Sequence, residues 1–309
     1  MNKRVSRFGF AMPPISRIVV ATDFSVFSER AVQRAAHIAQ QHDADLHVLH
    51  VVRPLDLYPS LTLTRDEFGH YDQDLQEAEQ TRVETTAATL TAQFGIRAHP
   101  ATRLGRAHAE IAAYLQEVSA DLVVAGSRGE STLMDLVLGS TASRLLRVAH
   151  CPVLIVKKPA DEPYRKTLAA VDFSPVSAAL IGYALSLAHG APVEALHVLG
   201  SEVEERLRKA KFVRVDIAEW LARQRADAEA QLESLLASAE HGAAVGRVVQ
   251  PGFPPAEICK YIESGSVELV VLGRHGYGGG LQDWLLGSVS KDVAHVASCD
   301  VLVVTPSAQ

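Results

Sequence analysis

The sequence predicts an α/β chain of two tandem, doubly wound parallel-sheet domains of the Rossmann-like kind, related by a pseudo-two-fold. Three observations predict it. Short β-branched apolar runs alternate with segments of helical periodicity along the whole chain. Runs such as RIVVAT (17–22) and DLVVAG (121–126) are apolar at consecutive positions, as strands of a parallel sheet covered on both faces require. Landmarks also recur at a near-constant distance: Asp23 and Asp172, Val51 and Val198, Gly105 and Gly252, Gly126 and Gly273, Gly139 and Gly287, and Cys151 and Cys299 are each 147 to 149 residues apart. A constant offset held by independent landmarks marks a duplicated unit.

In chain order, the first apolar run gives a strand at 17–22, and the periodic segment after DFS gives a helix at 26–42. DLHVLHVV gives a strand at 45–52, and a long polar-faced segment a helix at 66–94. A strand at 96–101, a helix at 106–118, a strand at 120–125, a helix at 140–149 and a strand at 152–157 complete the half. Alternating strands and helices joined by right-handed crossovers build a doubly wound sheet. The second half repeats the pattern from about residue 166 to 305, and its segment AEWLARQRADAEAQLESLLASAE is amphipathic, with a face to lay on its sheet. KKPADEPYRK, 157–166, is charged, carries two prolines and reads as the linker. The expected domains are 1–158 and 163–309.

Composition narrows the function. With 48% hydrophobic and 21% charged residues among 309, the chain is neither disordered nor fibrous. A net charge of −6 without a basic cluster predicts no nucleic-acid partner. No stretch approaches the roughly 18 apolar residues of a membrane span. Lys3, Arg4 and Arg7 precede FGFAMPP, which is too short for a secretory core and runs into Pro13-Pro14. Cys151, Cys259 and Cys299 are odd in number and widely spaced, which suits neither a disulfide framework nor a zinc set and points to a reducing, cytoplasmic compartment. Cys151 and Cys299 begin equivalent strands and are expected as small core residues. His47 and His50 stand three apart in a strand, hence on opposite faces, and are expected as hydrogen-bonded structural histidines rather than ligands of one metal.

In an open parallel sheet, ligands sit beyond the carboxyl ends of the strands where the strand order reverses. Asp23 follows the first strand and Gly126 the fourth, with Asp172 and Gly273 repeating them. In the second copy Pro175 suits the first helical position, so Ser174 is expected as the helix cap, and by the repeat Ser25 caps the first helix. Each aspartate is then left at a strand end with its carboxylate open to ligand groups, the alternative being a turn-bracing role. Gly126-x-x-Gly129 is followed by nine residues and then Gly139-Ser140, which opens a helix. Glycines admit close backbone approach and a helix N-terminus favours an anion, so this spacing is expected to line a phosphate pocket.

These motifs, ATDFS, G-x-x-G, nine residues, G-S and then CPVLIVKK, resemble the ATP-binding signature of the universal stress protein family, over nearly the whole chain as two tandem domains. The resemblance implies an adenine nucleotide alpha hydrolase-like fold, ATP as ligand with Mg2+ able to accompany it, and a cytoplasmic stress-response or nucleotide-sensing role. By motif position it implies that Thr22, Asp23 and the main chain of Val51 lie near adenine and ribose. Gly126, Arg128, Gly129, Gly139, Ser140 and Thr141 would hold ribose and phosphates. Asp172, Val198, Gly273, His275, Gly276, Gly287, Ser288 and Val289 are the second-copy counterparts. It further implies an intramolecular pseudo-dimer joined through CPVLIVKK and CDVLVVTP, with room for further homo-oligomerisation. Catalysis would amount at most to slow hydrolysis or autophosphorylation, with Ser140 or Ser288 as acceptor. No G-x-x-x-x-G-K-[ST] and no strand-linked G-x-G-x-x-G occurs, which speaks against an efficient P-loop ATPase and disfavours a dinucleotide oxidoreductase. The second copy departs in its loop, 277–286, which has ten residues including Gly278-Gly279-Gly280, so the first domain is expected to be the better ATP site. A stress scaffold without nucleotide, acting through protein contacts, is the alternative.

Overall fold

The computed structural model describes residues 14–54, 65–129, 138–160, 162–200, 217–237, 244–276 and 286–305. The chain divides into two compact units, Pro14–Pro163 and Tyr164–Pro306.

The first unit runs β1 (Arg17–Thr22), α1 (Val26–His42), β2 (Asp45–Val52), α2 (Arg65–Phe94), β3 (Arg97–Leu104), α3 (Ala107–Glu117), β4 (Leu122–Gly126), α4 (Ser140–Val148) and β5 (Val153–Val156). Its strands pair in parallel in the order β3-β2-β1-β4-β5. The second runs β6 (Thr167–Ala170), α5 (Ser177–Ala188), β7 (Val193–Gly200), α6 (Ile217–Ala237), β8 (Val245–Gly252), α7 (Pro254–Gly265), β9 (Leu269–Gly273), α8 (Ser288–Val296) and β10 (Asp300–Val304). Here the parallel order is β10-β9-β6-β7-β8. Strand order reverses between β1 and β4, and between β6 and β9, which fixes where a crevice opens.

The inner strands are the apolar runs. Every residue of β5 and β10 is buried, as are Ile18, Val19 and Val20 of β1 and Leu122, Val123 and Val124 of β4. β3 is a terminal strand of its unit, mostly exposed, and carries Pro100, which a central strand would reject. Its pairing with β2 runs from Asp45↔Arg97 to Val52↔Leu104, so β3 is longer than the apolar signal implied. α6 turns Ala228, Leu232 and Leu236 inward and packs on β7 and β8, the role expected of its apolar stripe. Cys151 and Cys299 are buried and free, as small core residues. No helix among the described residues is long and apolar enough to cross a membrane.

Helix capping differs between the copies. Ser25 caps α1, its hydroxyl accepting the Ser28 N–H at 3.2 Å. Ser174 does not cap α5, which corrects the expectation drawn from Pro175. The helix starts at Ser177, with Val176 as its uncapped N-cap residue. Pro175 instead sits in a turn closed by Ser177 N–H to the Ser174 carbonyl at 2.9 Å, and the Ser174 hydroxyl is buried without a hydrogen-bond partner. Ser25→Ala should therefore cost about 1 kcal/mol, and Ser174→Ala less than about 0.5 kcal/mol, since that hydroxyl contributes no bond. Urea unfolding of the two variants checks the contrast; equal losses would refute it.

Candidate functional site

Both units set a strand-end aspartate against a loop glycine at the switch point. In the first, Thr22 ends β1 with a buried hydroxyl that accepts the Phe24 N–H at 3.0 Å and lies 3.2 Å from the Ser28 hydroxyl of α1. Thr22 thus holds the turn. Phe24 takes a left-handed backbone, φ 59°, and Phe173 repeats it at 61°. Non-glycine residues seldom adopt this conformation, and its recurrence at one position of both copies marks a constrained turn. Asp23 follows Thr22 at the surface. Its Oδ1 accepts the Ser25 N–H at 3.1 Å, and its Oδ2 faces Gly129, where an added β-carbon would lie 2.7 Å away. In the second unit Asp172 Oδ1 accepts Ser174 N–H at 3.0 Å and the Ser177 hydroxyl at 3.2 Å, while Oδ2 stands 3.1 Å from the β-carbon position of Gly276. The carboxylates are therefore not wholly open. One oxygen braces the turn and the other faces the loop.

The loops leaving β4 and β9 are closed by a repeated bond. Gly139 N–H donates to the Ser127 carbonyl and Gly287 N–H to the Arg274 carbonyl, both at 2.8 Å. A β-carbon on Gly139 would fall 3.2 Å from Arg128 Cα, and one on Gly287 3.1 Å from the Arg274 carbonyl oxygen. These glycines let the helix start lie on the loop's entry. Their amides are engaged within the protein. Neither α4 nor α8 has a side-chain cap, so the first-turn amides at Ser140 and Thr141, and at Ser288 and Val289, form the anion-attracting end. Segments 130–137 and 277–285, with the run Gly278 to Gly280, lie outside the described residues.

Gly126 has a second duty. A β-carbon there would come within 2.7 Å of the Phe27 carbonyl oxygen, so the missing side chain admits the first turn of α1. Arg128 rests over the Phe27 ring at 5.2 Å from its centroid. Arg274, one position before its second-copy counterpart His275, is 6% exposed and is not among the residues that line the cavity there.

A cavity of about 520 Å³ opens in the second unit, and all eight positions carried over to that copy, Asp172 through Val289, line it. The volume is ordinary for a small-molecule site. Leu180, Leu196, Ile258 and Leu272 supply apolar wall, and Asp172, His197 and His275 supply the ionisable groups. In the first unit Val51 is the penultimate residue of β2, paired with Arg103 of β3, and the repeat offset matches it to Val198, which lines the cavity.

Two histidines belong to the site and were not singled out for it. His50 Nδ1 lies 2.8 Å from the Thr22 carbonyl and His197 Nδ1 lies 2.9 Å from the Val171 carbonyl. A carbonyl only accepts, so each Nδ1 carries the proton. Each ring also meets the left-handed phenylalanine, at 4.9 Å for His50 on Phe24 and 4.2 Å, stacked, for His197 on Phe173. Arg82 lies on Phe24 at 3.8 Å. The repeated LHV of LHVV and LHVL was the available signal. His47 bonds Tyr114 through Nδ1 at 2.9 Å, on the other face of β2, so both histidines of that strand are engaged.

Burial lowers the pKa of His197, opposed by its bond to the Val171 carbonyl and by the Asp172 charge. Burial and then the neighbouring His99 lower that of His47. In the unfolded chain both titrate near the usual 6.5. Below that value the unfolded chain binds protons that the folded chain refuses, so stability is complete above about 6.5 and falls as the solution is acidified below it, by up to about 1.4 kcal/mol per pH unit and proton. The melting temperature should drop between pH 7.5 and 5.5, and a chain carrying His47→Gln and His197→Gln should lose much of that slope; an unchanged slope would remove these two rings as its source.

Compared with known proteins, the sequence profile of the universal stress protein family matches residues 14–157 and again 163–305. A universal stress protein of Mycobacterium bovis is 30% identical over 303 residues, covering 94% of this chain and 97% of the relative. One of Mycolicibacterium smegmatis is 28% identical over 307 residues, covering 94% and 97%. Among solved structures, a universal stress protein from Archaeoglobus fulgidus superposes with a TM-score of 0.67 at 20% identity, over 94% of this chain and 98% of that one, a likeness of fold.

Proposed function

We propose that this chain, which belongs to the universal stress protein family as a tandem of two domains, is an ATP-binding member with a cytoplasmic stress-response or nucleotide-sensing role. The observation that carries the reading is convergence: eight positions scattered from Asp172 to Val289 line one cavity of about 520 Å³ at the strand-order switch, and in the first unit Gly129 faces Asp23 while Gly139 meets Arg128. The residues present fit the ligand. Apolar wall suits a base, the carboxylate oxygens of Asp23 and Asp172 that face the loops suit ribose hydroxyls, and the uncapped starts of α4 and α8 suit phosphate. Gly129 and Gly276 leave the space beside each carboxylate that a side chain would fill. Bound ATP would bring Mg2+ as its counter-ion. Neither site presents a P-loop lysine, and any turnover would be slow.

Calorimetric titration of the full chain with ATP and ADP tests the reading. Saturable binding, at one or two nucleotides per chain, is expected. Absence of any heat or melting shift at millimolar ATP would overturn it in favour of a scaffold acting through protein contacts.

A further inference from the structure

The two units carry the same site frame but opposite electrostatics around it. At the carboxyl edge of the first sheet stand Arg53 after β2, Arg106 before α3, Arg128 in the loop and Arg144 in α4. The repeat offset puts Gly200, Phe253, His275 and Asp292 at those places in the second unit. Four guanidinium groups are thus replaced by none, and one by a carboxylate. Two of these arginines meet one ring of α3. Arg144 Nη1 approaches His108 Nδ1 at 3.3 Å, and burial first, then the charges of Arg144 and Arg106, lower the pKa of His108. In the second unit Pro255 stands where His108 does.

The second cavity completes the contrast. No lysine or arginine lines it among the described residues, its walls are largely apolar, and Asp172 is a negative charge within it. Arg274 is buried outside that lining. Lys291 is exposed one position from Asp292, on the same turn of α8. A phosphate chain entering here would lose its hydration and meet a carboxylate, with only the main-chain amides at the start of α8 and no guanidinium to answer it. A ribose and base entering the same space would meet apolar wall, the Asp172 carboxylate and the His197 ring, all suited to hydroxyls and a heterocycle.

Resting on the adenine-nucleotide reading above, we propose that the two units have divided the ligand range: the first takes the nucleotide with its phosphate chain, and the second takes the nucleoside without phosphates. The arginine edge supplies charge-assisted, fork-shaped contacts that discriminate by phosphate number. The second unit discriminates in the reverse sense by offering none.

The test titrates the full chain with adenosine, AMP and ATP after blocking one unit at a time. Gly129→Val closes the first unit against Asp23, and Gly276→Val closes the second against Asp172. With the first unit blocked, adenosine should bind at least tenfold tighter than ATP, with an affinity insensitive to salt. With the second blocked, ATP should bind at least tenfold tighter than adenosine and weaken steeply as salt rises. Adding His275→Arg and Asp292→Arg, at half-exposed and exposed positions, to the Gly129→Val chain should raise ATP affinity at least tenfold and leave adenosine unchanged. ATP preferred over adenosine in the Gly129→Val chain, or no response to the two arginines, would overturn the division while leaving nucleotide binding intact. A wild-type chain that binds neither ATP nor adenosine would overturn both readings.

Discussion

Gly126→Ala should destabilise the first unit by about 2–3 kcal/mol, while the matching Gly273→Ala should cost about 1 kcal/mol. The difference lies in what each new methyl meets. At Gly126 the β-carbon would lie 2.7 Å from the Phe27 carbonyl oxygen, 2.8 Å from its carbon and 3.0 Å from the Ser28 nitrogen. All three are backbone atoms of the first turn of α1, and that turn is fastened by the Ser25 cap and by Glu29 N–H to the Ser25 carbonyl at 2.9 Å. Relief requires moving the helix off β4, and overpacking of that kind costs in the upper part of the usual 1–3 kcal/mol range. At Gly273 the nearest atoms are Val176 Cγ1 at 3.0 Å and the His275 carbonyl oxygen at 3.2 Å. A side chain can rotate aside. Thermal and urea unfolding of the two variants would check the ranking, and a Gly126→Ala loss no greater than that of Gly273→Ala would show that α1 yields more easily than its capped turn implies.

That result bears on what a sequence can disclose. The inner strands were legible because burial on both faces leaves only apolar residues to use, and β1 and β2 occupy the expected residues. β3 ran past its expected end because hydrogen bonding to β2 continues through Arg103 and Leu104, where Thr102 and Arg103 interrupt the apolar pattern. Ser25 was legible as a cap, but Ser174 was misread because proline suits both the first turn of a helix and the turn before it; the bond from Ser177 to the Ser174 carbonyl decides between them. The loop glycines were legible as a set and not in their separate duties. Gly126 admits a helix, Gly139 touches Arg128, and Gly129 alone in the first loop faces the carboxylate. Such divisions of labour depend on atoms distant in sequence. The histidine and phenylalanine beside each aspartate were written twice in the sequence, yet only the left-handed backbone at Phe24 and Phe173 shows why the rings meet there.

Gly129→Val should abolish the melting shift that ATP produces through the first unit while changing the unliganded protein little. Gly129 does not sit in the left-handed region, and the atom its β-carbon would strike is Asp23 Oδ2 at 2.7 Å, on an exposed side chain whose other oxygen accepts the Ser25 N–H. The fold can absorb this by turning the carboxylate, at a cost below about 1 kcal/mol, in the range of substitutions that disturb no core. The site cannot absorb it. The branched side chain fills the space beside Asp23 and displaces the oxygen proposed to meet ribose, so ATP affinity should fall at least 100-fold, equivalent to about 2.7 kcal/mol. With wild type at ATP 100 times its dissociation constant, binding adds about 2.7 kcal/mol to folding stability, and that increment is what the variant should lose. Gly276→Val, made against Asp172, should leave the increment intact, because the arginine edge that favours the triphosphate belongs to the first unit. Differential scanning calorimetry of the three chains with and without ATP checks both halves of the expectation. A full ATP shift in Gly129→Val would take the Asp23–Gly129 pair out of the nucleotide site, and loss of the shift in Gly276→Val instead would make the second unit the principal one.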